Sequence, residues 1–320
     1  FVKAMKGSSF VFFLMFILCS IESKASNFSG YMVGDYYYII SDSKKDNEGE
    51  NAFRFRRIYL TSDWNKGEKF SSRLRFEARD AGWGKSEKME PFVKHAYLRW
   101  RDIFSGADLY LGLSGTPTWS LSEKVWGYRS VEKTILDLNK IGSSADLGLR
   151  VKGTLGGLTY NFMLGNGAGQ KSEGDQQKKL YSSFSHSLGK SLNAEIYFDY
   201  NEVSENVTER TVKVFIGYSQ AESRGGIEAF SRVNGNGNKD ETISGTSVFW
   251  SQNLNKTGTG FLRWDALWNN GKDMTDHLLI VGYDKKVGPG VHMIPNFRFS
   301  DRDSEEKSKV SPYITAYYKF

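Results

Sequence analysis

The sequence predicts an all-β fold, a transmembrane antiparallel up-and-down β-barrel of about sixteen strands. Three observations point to it: segments in which apolar and polar residues alternate, connections that are alternately short and long, and aromatic residues near the segment ends. An even strand number with tight turns at one end and longer loops at the other is the layout of a barrel that crosses an outer membrane.

The composition excludes several other classes. The chain has 320 residues with 22 Phe, 17 Tyr and 8 Trp, which is too much apolar side chain for a disordered protein. Its longest apolar run, Phe10 to Leu18, is too short for a membrane-spanning helix, which needs roughly 20 residues. A single cysteine excludes a disulfide-stabilised scaffold. The net charge of +6 does not by itself predict a nucleic-acid partner.

The first element along the chain is a predicted signal peptide at residues 1–25. Lys3 and Lys6 precede the apolar run, as in the basic first zone of such peptides. Ser23 and Ala25 place small residues at the two positions that signal peptidase reads, so we expect cleavage after Ala25. A buried N-terminal helix is the alternative interpretation.

The predicted barrel then occupies residues 26–320. Its strands are recognised by period-two alternation, which gives each strand one apolar and one polar face. The expected strands lie near 28–40, 52–64, 69–80, 91–101, 107–114, 145–154, 157–165, 179–188, 191–202, 210–220, 226–234, 242–252, 259–269, 276–285, 290–300 and 309–320.

The connections between these strands favour a membrane barrel over a soluble β-sandwich or propeller. Short ones are expected at 65–68, 156–157, 189–190, 223–225 and 287–289. Longer polar ones are expected at 41–51, 81–90, 115–144, 166–178, 203–209, 235–241, 270–275 and 301–308. Aromatic residues near the strand ends are typical of the two membrane–water interfaces, and no blade-length repeat supports a propeller.

Basic residues occupy strand positions opposite the apolar stripes. A lipid-facing Arg costs about 2–4 kcal/mol at the bilayer midplane, so these side chains should point into the lumen. The argument is strongest for Arg73, Arg75 and Arg150, whereas a change of apolar parity in the second strand predicts a β-bulge near Arg56 and Arg57. The residues predicted to line the pore and bind solute are Arg54, Arg56, Arg73, Arg75, Arg79, Arg99, Arg150 and Lys152. The alternative is that these charges only form a solvated lumen surface.

The longest connection, 115–144, is predicted to fold into the pore and narrow it. Apolar residues such as Trp119, Trp126 and Leu136 need a surface to pack on in a loop of this length. A helical cap over the barrel mouth and a subunit contact are the alternatives. The charged residues predicted to form the constriction are Glu123, Arg129, Glu132, Lys133 and Asp137.

Four short segments carry a resemblance to known proteins. The terminal YYKF at 317–320 resembles the closing strand of Gram-negative outer-membrane proteins. FRFRRIYL at 53–60, AYLRW at 96–100 and SADLGLR at 144–150 resemble porins of the phosphate-selective O and P type. The resemblance implies a sixteen-stranded diffusion pore with a basic constriction, in a family whose members are often trimeric.

The sequence therefore predicts an outer-membrane porin for passive diffusion of small hydrophilic solutes, with a lean toward anions such as phosphate. The predicted preference for anions is weakened by acidic residues that are also expected to face the lumen, namely Glu77, Asp108, Asp146, Glu195, Asp199, Glu228 and Asp265. The expected partners are outer-membrane lipid and lipopolysaccharide, the barrel-assembly machinery, small hydrophilic solutes or anions, and further copies of the chain in a homotrimer. No cofactor, metal or nucleic acid is expected.

A barrel-embedded enzyme and a structural or adhesive outer-membrane protein are the alternative functions. His186 lies between Ser185 and Ser187, but neighbours in a strand point to opposite faces, so neither hydroxyl should meet its ring. His95, His277 and His292 are the other histidines, and no pair has metal-ligand spacing. Most external loops are modest in length and polar, whereas an adhesin would have long apolar or repetitive ones. An enzyme is therefore not expected.

Overall fold

The computed structural model describes residues 27–80, 82, 87–237, 240–272 and 274–320. These residues form a closed barrel of sixteen antiparallel strands, each hydrogen-bonded to its neighbours in the sequence, with the first strand paired to the last. The predicted fold class and strand number are confirmed. The predicted signal peptide, 1–25, lies outside the described residues.

The strand bounds agree with those expected from the sequence to within three residues. In chain order the strands are β1 (Asn27–Tyr38), β2 (Asn51–Lys66), β3 (Phe70–Ala78), β4 (Phe92–Phe104), β5 (Ala107–Gly115), β6 (Ala145–Leu155), β7 (Leu158–Gly165), β8 (Lys179–Leu188), β9 (Leu192–Ser204), β10 (Val207–Ser219), β11 (Ser223–Gly235), β12 (Asp240–Asn255), β13 (Gly258–Asn269), β14 (Met274–Gly288), β15 (Val291–Arg302) and β16 (Lys309–Lys319). Two short helices, α1 (Ser120–Trp126) and α2 (Ile135–Leu138), lie between β5 and β6, and a 3₁₀ turn covers Lys45–Asn47.

Alternation along the strands separates an apolar exterior from a polar interior. On β9, Ile196 and Phe198 are exposed on the outside, whereas Glu195, Tyr197 and Asp199 are buried inside. The same parity recurs around the barrel, as period-two patterning requires. Aromatic side chains exposed on the outer surface include Trp100, Trp250, Trp264, Trp268 and Tyr318. No helix among the described residues is long and apolar enough to cross a membrane.

The predicted bulge in the second strand is confirmed. Val33 pairs with Arg57 and the next residue, Gly34, pairs with Phe55, so Arg56 is the extra residue. Because one residue is inserted, the apolar side chains before and after the bulge lie on the same face of the strand, although their parity in the sequence differs. As a result both Arg56 and Arg57 bind carboxylates inside the barrel, although they are adjacent in sequence.

Two expected connections were wrong. The long loop expected at 203–209 is a two-residue turn, Glu205 and Asn206, because the polar residues on either side continue the ladder between β9 and β10. Asn206 adopts φ 64°, a left-handed conformation that Asn tolerates. The turn expected at 223–225 falls at 220–222, since Ser223 already pairs with Gln252 of β12. Polarity alone does not separate a loop from a strand that extends beyond the apolar band.

Candidate functional site

The segment between β5 and β6 packs against inward-facing residues of the opposite wall. Val125 and Trp126 of α1, followed by Tyr128 and Val131, form one buried cluster with side chains of β10 and β12 to β15. Those partners are Phe215, Phe249, Phe261, Ile280 and Ile294. A second cluster joins Trp119, Ile135, Leu136 and Ile141 to Phe230 of β11. The apolar residues of the loop are therefore buried against the inner face of the barrel.

Three arginines from three strands bind backbone carbonyls in the middle of this loop. Arg56 of β2 donates to the carbonyls of Val131, at 2.7 Å, and Ser130. Arg298 of β15 donates to the same Val131 carbonyl at 2.8 Å, and Arg263 of β13 donates to the carbonyl of Lys133. Residues 130–133 are therefore held by one arc of the wall, which runs from β13 through β16 and β1 to β2.

A buried ionic network holds the start of α1. Lys213 of β10 lies 2.6 Å from Glu195 and 3.6 Å from Glu228, and all three side chains are almost completely buried. Glu228 also accepts a hydrogen bond from Ser122 of α1 at 2.7 Å. A buried charge requires such partners, because an unpaired ion is costly to desolvate.

Most of the predicted pore-lining arginines form a wall on β2 to β6 whose charges pair with strand carboxylates. Arg73 reaches Asp63 with two bonds of 2.7 and 2.9 Å. The other pairs are Arg99 with Asp108, Arg54 and Arg56 with Asp35, and Arg57 and Lys94 with Glu77. Four members of the predicted set, Arg75, Arg79, Arg150 and Lys152, form no described ion pair with a carboxylate. The hydrogen bonds of Arg75 and Arg150 go to the Thr61 hydroxyl and the Gly115 carbonyl.

Tyrosine rings support the same wall. The guanidinium carbons of Arg75 and Arg57 lie 5.0 and 5.4 Å from the centre of the Tyr59 ring. Those of Arg150 and Arg99 lie 4.1 and 5.7 Å from the centre of the Tyr110 ring. Cation–π contact of this kind holds a guanidinium in place without cancelling its charge.

A cavity of about 240 Å³ brings part of the wall and part of the loop together. Its basic lining residues are Arg54, Arg56, Arg57, Arg79, Arg129, Lys133 and Arg298, and its acidic ones are Asp80 and Glu132. Lys152, by contrast, lines a separate cavity with Lys124 and Glu195 on the side of the short turns. The predicted basic set is therefore distributed along the barrel and does not form a single cluster.

The predicted loop residues pair mainly among themselves. Arg129 lies 2.7 Å from Glu123 and also binds Asp137, whose other oxygen is 3.8 Å from Lys133. Glu132 binds Arg298 at 2.8 Å. Burial raises the pKa of Glu123 above its usual range. Burial also acts to raise the pKa of Glu132, but the nearby Arg298 and Arg56 outweigh it, so that pKa lies below its usual range.

Sequence reasoning missed several residues that organise the site. Arg57, Lys94, Arg263 and Arg298 were not among the predicted site residues. Strand parity places Arg263 on the inner face, opposite the exposed Trp264. Nothing in a single sequence shows that loop carbonyls would reach it, because that contact joins positions 130 residues apart.

The histidines and serines considered for catalysis do not meet. His186 Nδ1 lies 3.1 Å from the carbonyl of Gly157, and Ser187 donates to Asn193. His292 contacts Asp284 at 2.7 Å, and His277 stacks on Trp264. In the described part of the chain, no group of three or more His, Cys, Asp or Glu side chains could hold a metal ion.

No protein-family model and no curated protein sequence matches the chain. Solved structures match its fold. An anion-selective porin from Comamonas acidovorans has a TM-score of 0.69 at 11% identity, covering 92% of this chain and 99% of that one. Salmonella typhi OmpF in complex with daunomycin has 0.70 at 8% identity, covering 92% and 97%. OmpT of Vibrio cholerae in its trimer form has 0.65 at 12%, covering 92% and 99%. The resemblance to outer-membrane porins is thus confirmed at the level of the fold.

Proposed function

We propose that this protein is an outer-membrane porin that lets small hydrophilic solutes diffuse passively, with a lean toward anions. The observation that carries the proposal is the division of the barrel interior. The loop between β5 and β6 packs on the apolar inner faces of β10 to β15, while β2 to β6 present an arginine-rich wall. The passage for solutes then runs between the loop and the basic wall.

The same geometry supports a mechanism of selection. Fixed arginines on one side and the paired loop charges on the other create a field across the passage that orients polar solutes. Excess positive charge in the narrow cavity, seven basic residues against two acidic ones, favours anions. Phosphate is one such anion. The paired lumen acids, such as Asp63 and Glu77, keep the preference moderate.

The exterior supports the proposed location. Apolar side chains are exposed all round the barrel, from Leu149 on β6 to Ile314 on β16, and an exposed apolar surface of this extent suits contact with outer-membrane lipid and lipopolysaccharide. Export by the signal peptide at 1–25 and insertion by the barrel-assembly machinery belong to the proposal. N-terminal sequencing of the membrane-inserted protein should begin at Ser26.

A homotrimer is part of the proposal. OmpT of Vibrio cholerae, which shares the fold, has a trimer form. The outer surface of this chain carries an apolar groove between Phe53, Phe55, Met293 and Ile314 that another copy could cover. Chemical crosslinking of the protein in native membranes should give a species of three chains, and a single-chain species alone would exclude it.

Single-channel conductance of the refolded protein in a planar lipid bilayer tests the function. We expect steady ohmic steps, and under a salt gradient the reversal potential should have the sign of an anion-preferring pore. Ohmic steps with a reversal potential of the cation-preferring sign would support the porin function but contradict the preference for anions. A folded barrel that never conducts would contradict the porin and favour the enzyme or structural alternatives.

A further inference from the structure

The arginines of the basic wall differ in what balances their charge. Arg73 and Arg99 each bind a strand carboxylate through two guanidinium nitrogens. Arg57 likewise shares Glu77 with Lys94. A guanidinium already paired in this way has little left to offer a passing anion, since its strongest donors are occupied.

Arg75 is in a different position. Its Nε donates to the hydroxyl of Thr61 at 2.8 Å, and its guanidinium carbon lies 5.0 Å from the centre of the Tyr59 ring. Both partners are neutral. Within the described part of the chain no carboxylate pairs with it, so its charge is uncompensated while its orientation is fixed.

Arg150 repeats this arrangement three strands away. It donates to the carbonyl of Gly115 and lies over the ring of Tyr110 at 4.1 Å. Its Nε is buried without a hydrogen-bond partner. No described carboxylate pairs with this guanidinium either, and the side chain is partly exposed inside the barrel.

The inner surface between the two arginines is aromatic. Arg75 pairs across the strands with His95, and Tyr97 packs edge-on against Tyr110 at 5.4 Å. Arg150 Nη1 and His95 Nε2 each lie 3.8 Å from the position that a β-carbon on Gly115 would occupy, so these two side chains come together beside Gly115. Two uncompensated guanidiniums therefore flank a patch of phenol and imidazole rings on the wall.

We propose that Arg75 and Arg150 form an oxyanion-binding station in the pore, which takes carboxylate or phosphate groups of small solutes. The inference rests on the proposed porin function and names its solute class. A planar guanidinium offers parallel N–H donors that match two oxygens of a carboxylate or phosphate, a match that chloride cannot make. Because the tyrosine rings already hold both side chains, binding an oxyanion costs little further side-chain ordering.

Conductance as a function of salt concentration tests the station in the refolded protein. A channel with an ion-binding station saturates, whereas one without it stays close to linear. We expect saturation in potassium acetate and potassium phosphate at lower concentration than in potassium chloride. In the double variant Arg75→Gln with Arg150→Gln, the half-saturating concentration of both oxyanions should rise about tenfold, since two charge-assisted contacts are lost.

Two further variants separate the station from the general charge of the lumen. Arg302→Gln with Glu305→Gln removes a paired arginine outside the basic wall without changing net charge and should leave saturation unchanged. Arg75→Lys with Arg150→Lys keeps the charge but loses the planar donors, and should lose most of the oxyanion preference. Strand content from circular dichroism checks folding, and the single variants Arg75→Gln and Arg150→Gln replace any double variant that does not fold.

The outcomes distinguish this inference from the porin function itself. Saturation in phosphate but not acetate would assign the station to phosphate groups, and the reverse to carboxylates. A wild-type channel that conducts without oxyanion saturation, or a double glutamine variant that saturates like wild type, would overturn the station and leave the porin intact. Full oxyanion preference in the lysine variant would also overturn it. A wild-type protein that does not conduct would instead contradict the proposed function.

Discussion

Arg298 illustrates how one side chain can connect the pore wall to the loop. It binds the Glu132 carboxylate at 2.8 Å and the Val131 carbonyl at 2.8 Å, and the ring of Tyr313 lies 3.9 Å from its guanidinium carbon. The ion pair is largely shielded, with 11% and 18% of the two side chains exposed. Removing one partner of a shielded pair leaves the other charge without compensation.

We therefore expect Arg298→Gln to destabilise the protein by roughly 3 kcal/mol, because Glu132 would lose the one cation that is hydrogen-bonded to it among the described residues. Urea unfolding in detergent micelles measures the loss. Arg302→Gln, on the same strand, is the matched control: its partner Glu305 is 3.2 Å away but the arginine is 53% exposed, so the cost should stay below about 1 kcal/mol. Equal losses for the two variants would contradict the role of Arg298.

Glu132 also predicts how stability depends on pH. Its pKa is lowered in the folded protein, because Arg298 and Arg56 outweigh the effect of burial. A lowered carboxyl pKa stabilises the folded state above the unfolded value, near 4.3 for Glu, and that contribution is lost as pH falls through the folded value. Unfolding free energy measured from pH 7 down to pH 3 should decline less steeply in Glu132→Gln. An identical slope would show that the pair does not contribute.

At the scale of elements, the loop between β5 and β6 packs on the inner face of the barrel. Its two helices cover inward-facing rings, including Phe215, Phe249 and Phe261. Excising residues 120–140 should raise single-channel conductance several-fold, because the helices no longer occupy part of the barrel interior. It should also lower stability, because those rings would face water.

The control for the excision is a change of similar kind at the outer rim. Replacing 303–308, the connection between β15 and β16, by a short Gly-Ser linker should leave conductance within about a factor of two, since this loop has no part in the two apolar clusters of the interior. Conductance unchanged by the excision of 120–140 would place that loop outside the solute path.

The elements were largely predictable, while the contacts between them were not. Alternation fixed the strands and their faces, and even the bulge at Arg56 followed from the shift of parity around Phe55. The partners of the arginines could not be predicted, because Arg263 and Arg298 reach the loop only after the barrel has closed. Local periodicity carries no information about such long-range pairs. It also missed the turn at Glu205, since polar residues continue a strand beyond the membrane as readily as they form a loop.

At the scale of the whole molecule, the interior is divided by chemistry. Strands β10 to β15 present aromatic and aliphatic side chains inward and bind the loop, whereas β2 to β6 present arginines and tyrosines. The sequence pattern inside a barrel is therefore not uniformly polar. Its apolar inward positions, such as Phe249 and Phe261, mark where the loop packs.

Closure of the barrel depends on the pairing of β1 with β16. Phe320 continues that pairing: its amide donates to the Gly30 carbonyl at 3.1 Å and its carbonyl accepts from the Gly30 amide at 3.0 Å. Its ring centre lies 6.3 Å from that of Phe28 and 5.6 Å from that of Tyr318. Every backbone group that loses its partner within a bilayer carries a large cost, so the last pairing of the seam matters.

Deleting Phe320 should accordingly reduce the fraction of protein that assembles into the membrane, because the deletion opens the end of the seam and removes an aromatic contact at the membrane interface. The folded fraction can be measured by the mobility difference between heated and unheated samples in electrophoresis, after expression of the full-length chain. Phe104→Ala is the control, since Phe104 is also an exposed ring at a strand end but lies away from the seam, and truncating its side chain leaves every backbone strand pair intact. Normal assembly of the deletion variant would show that the pairs from Tyr31 with Lys319 to Tyr37 with Tyr313 suffice to close the barrel.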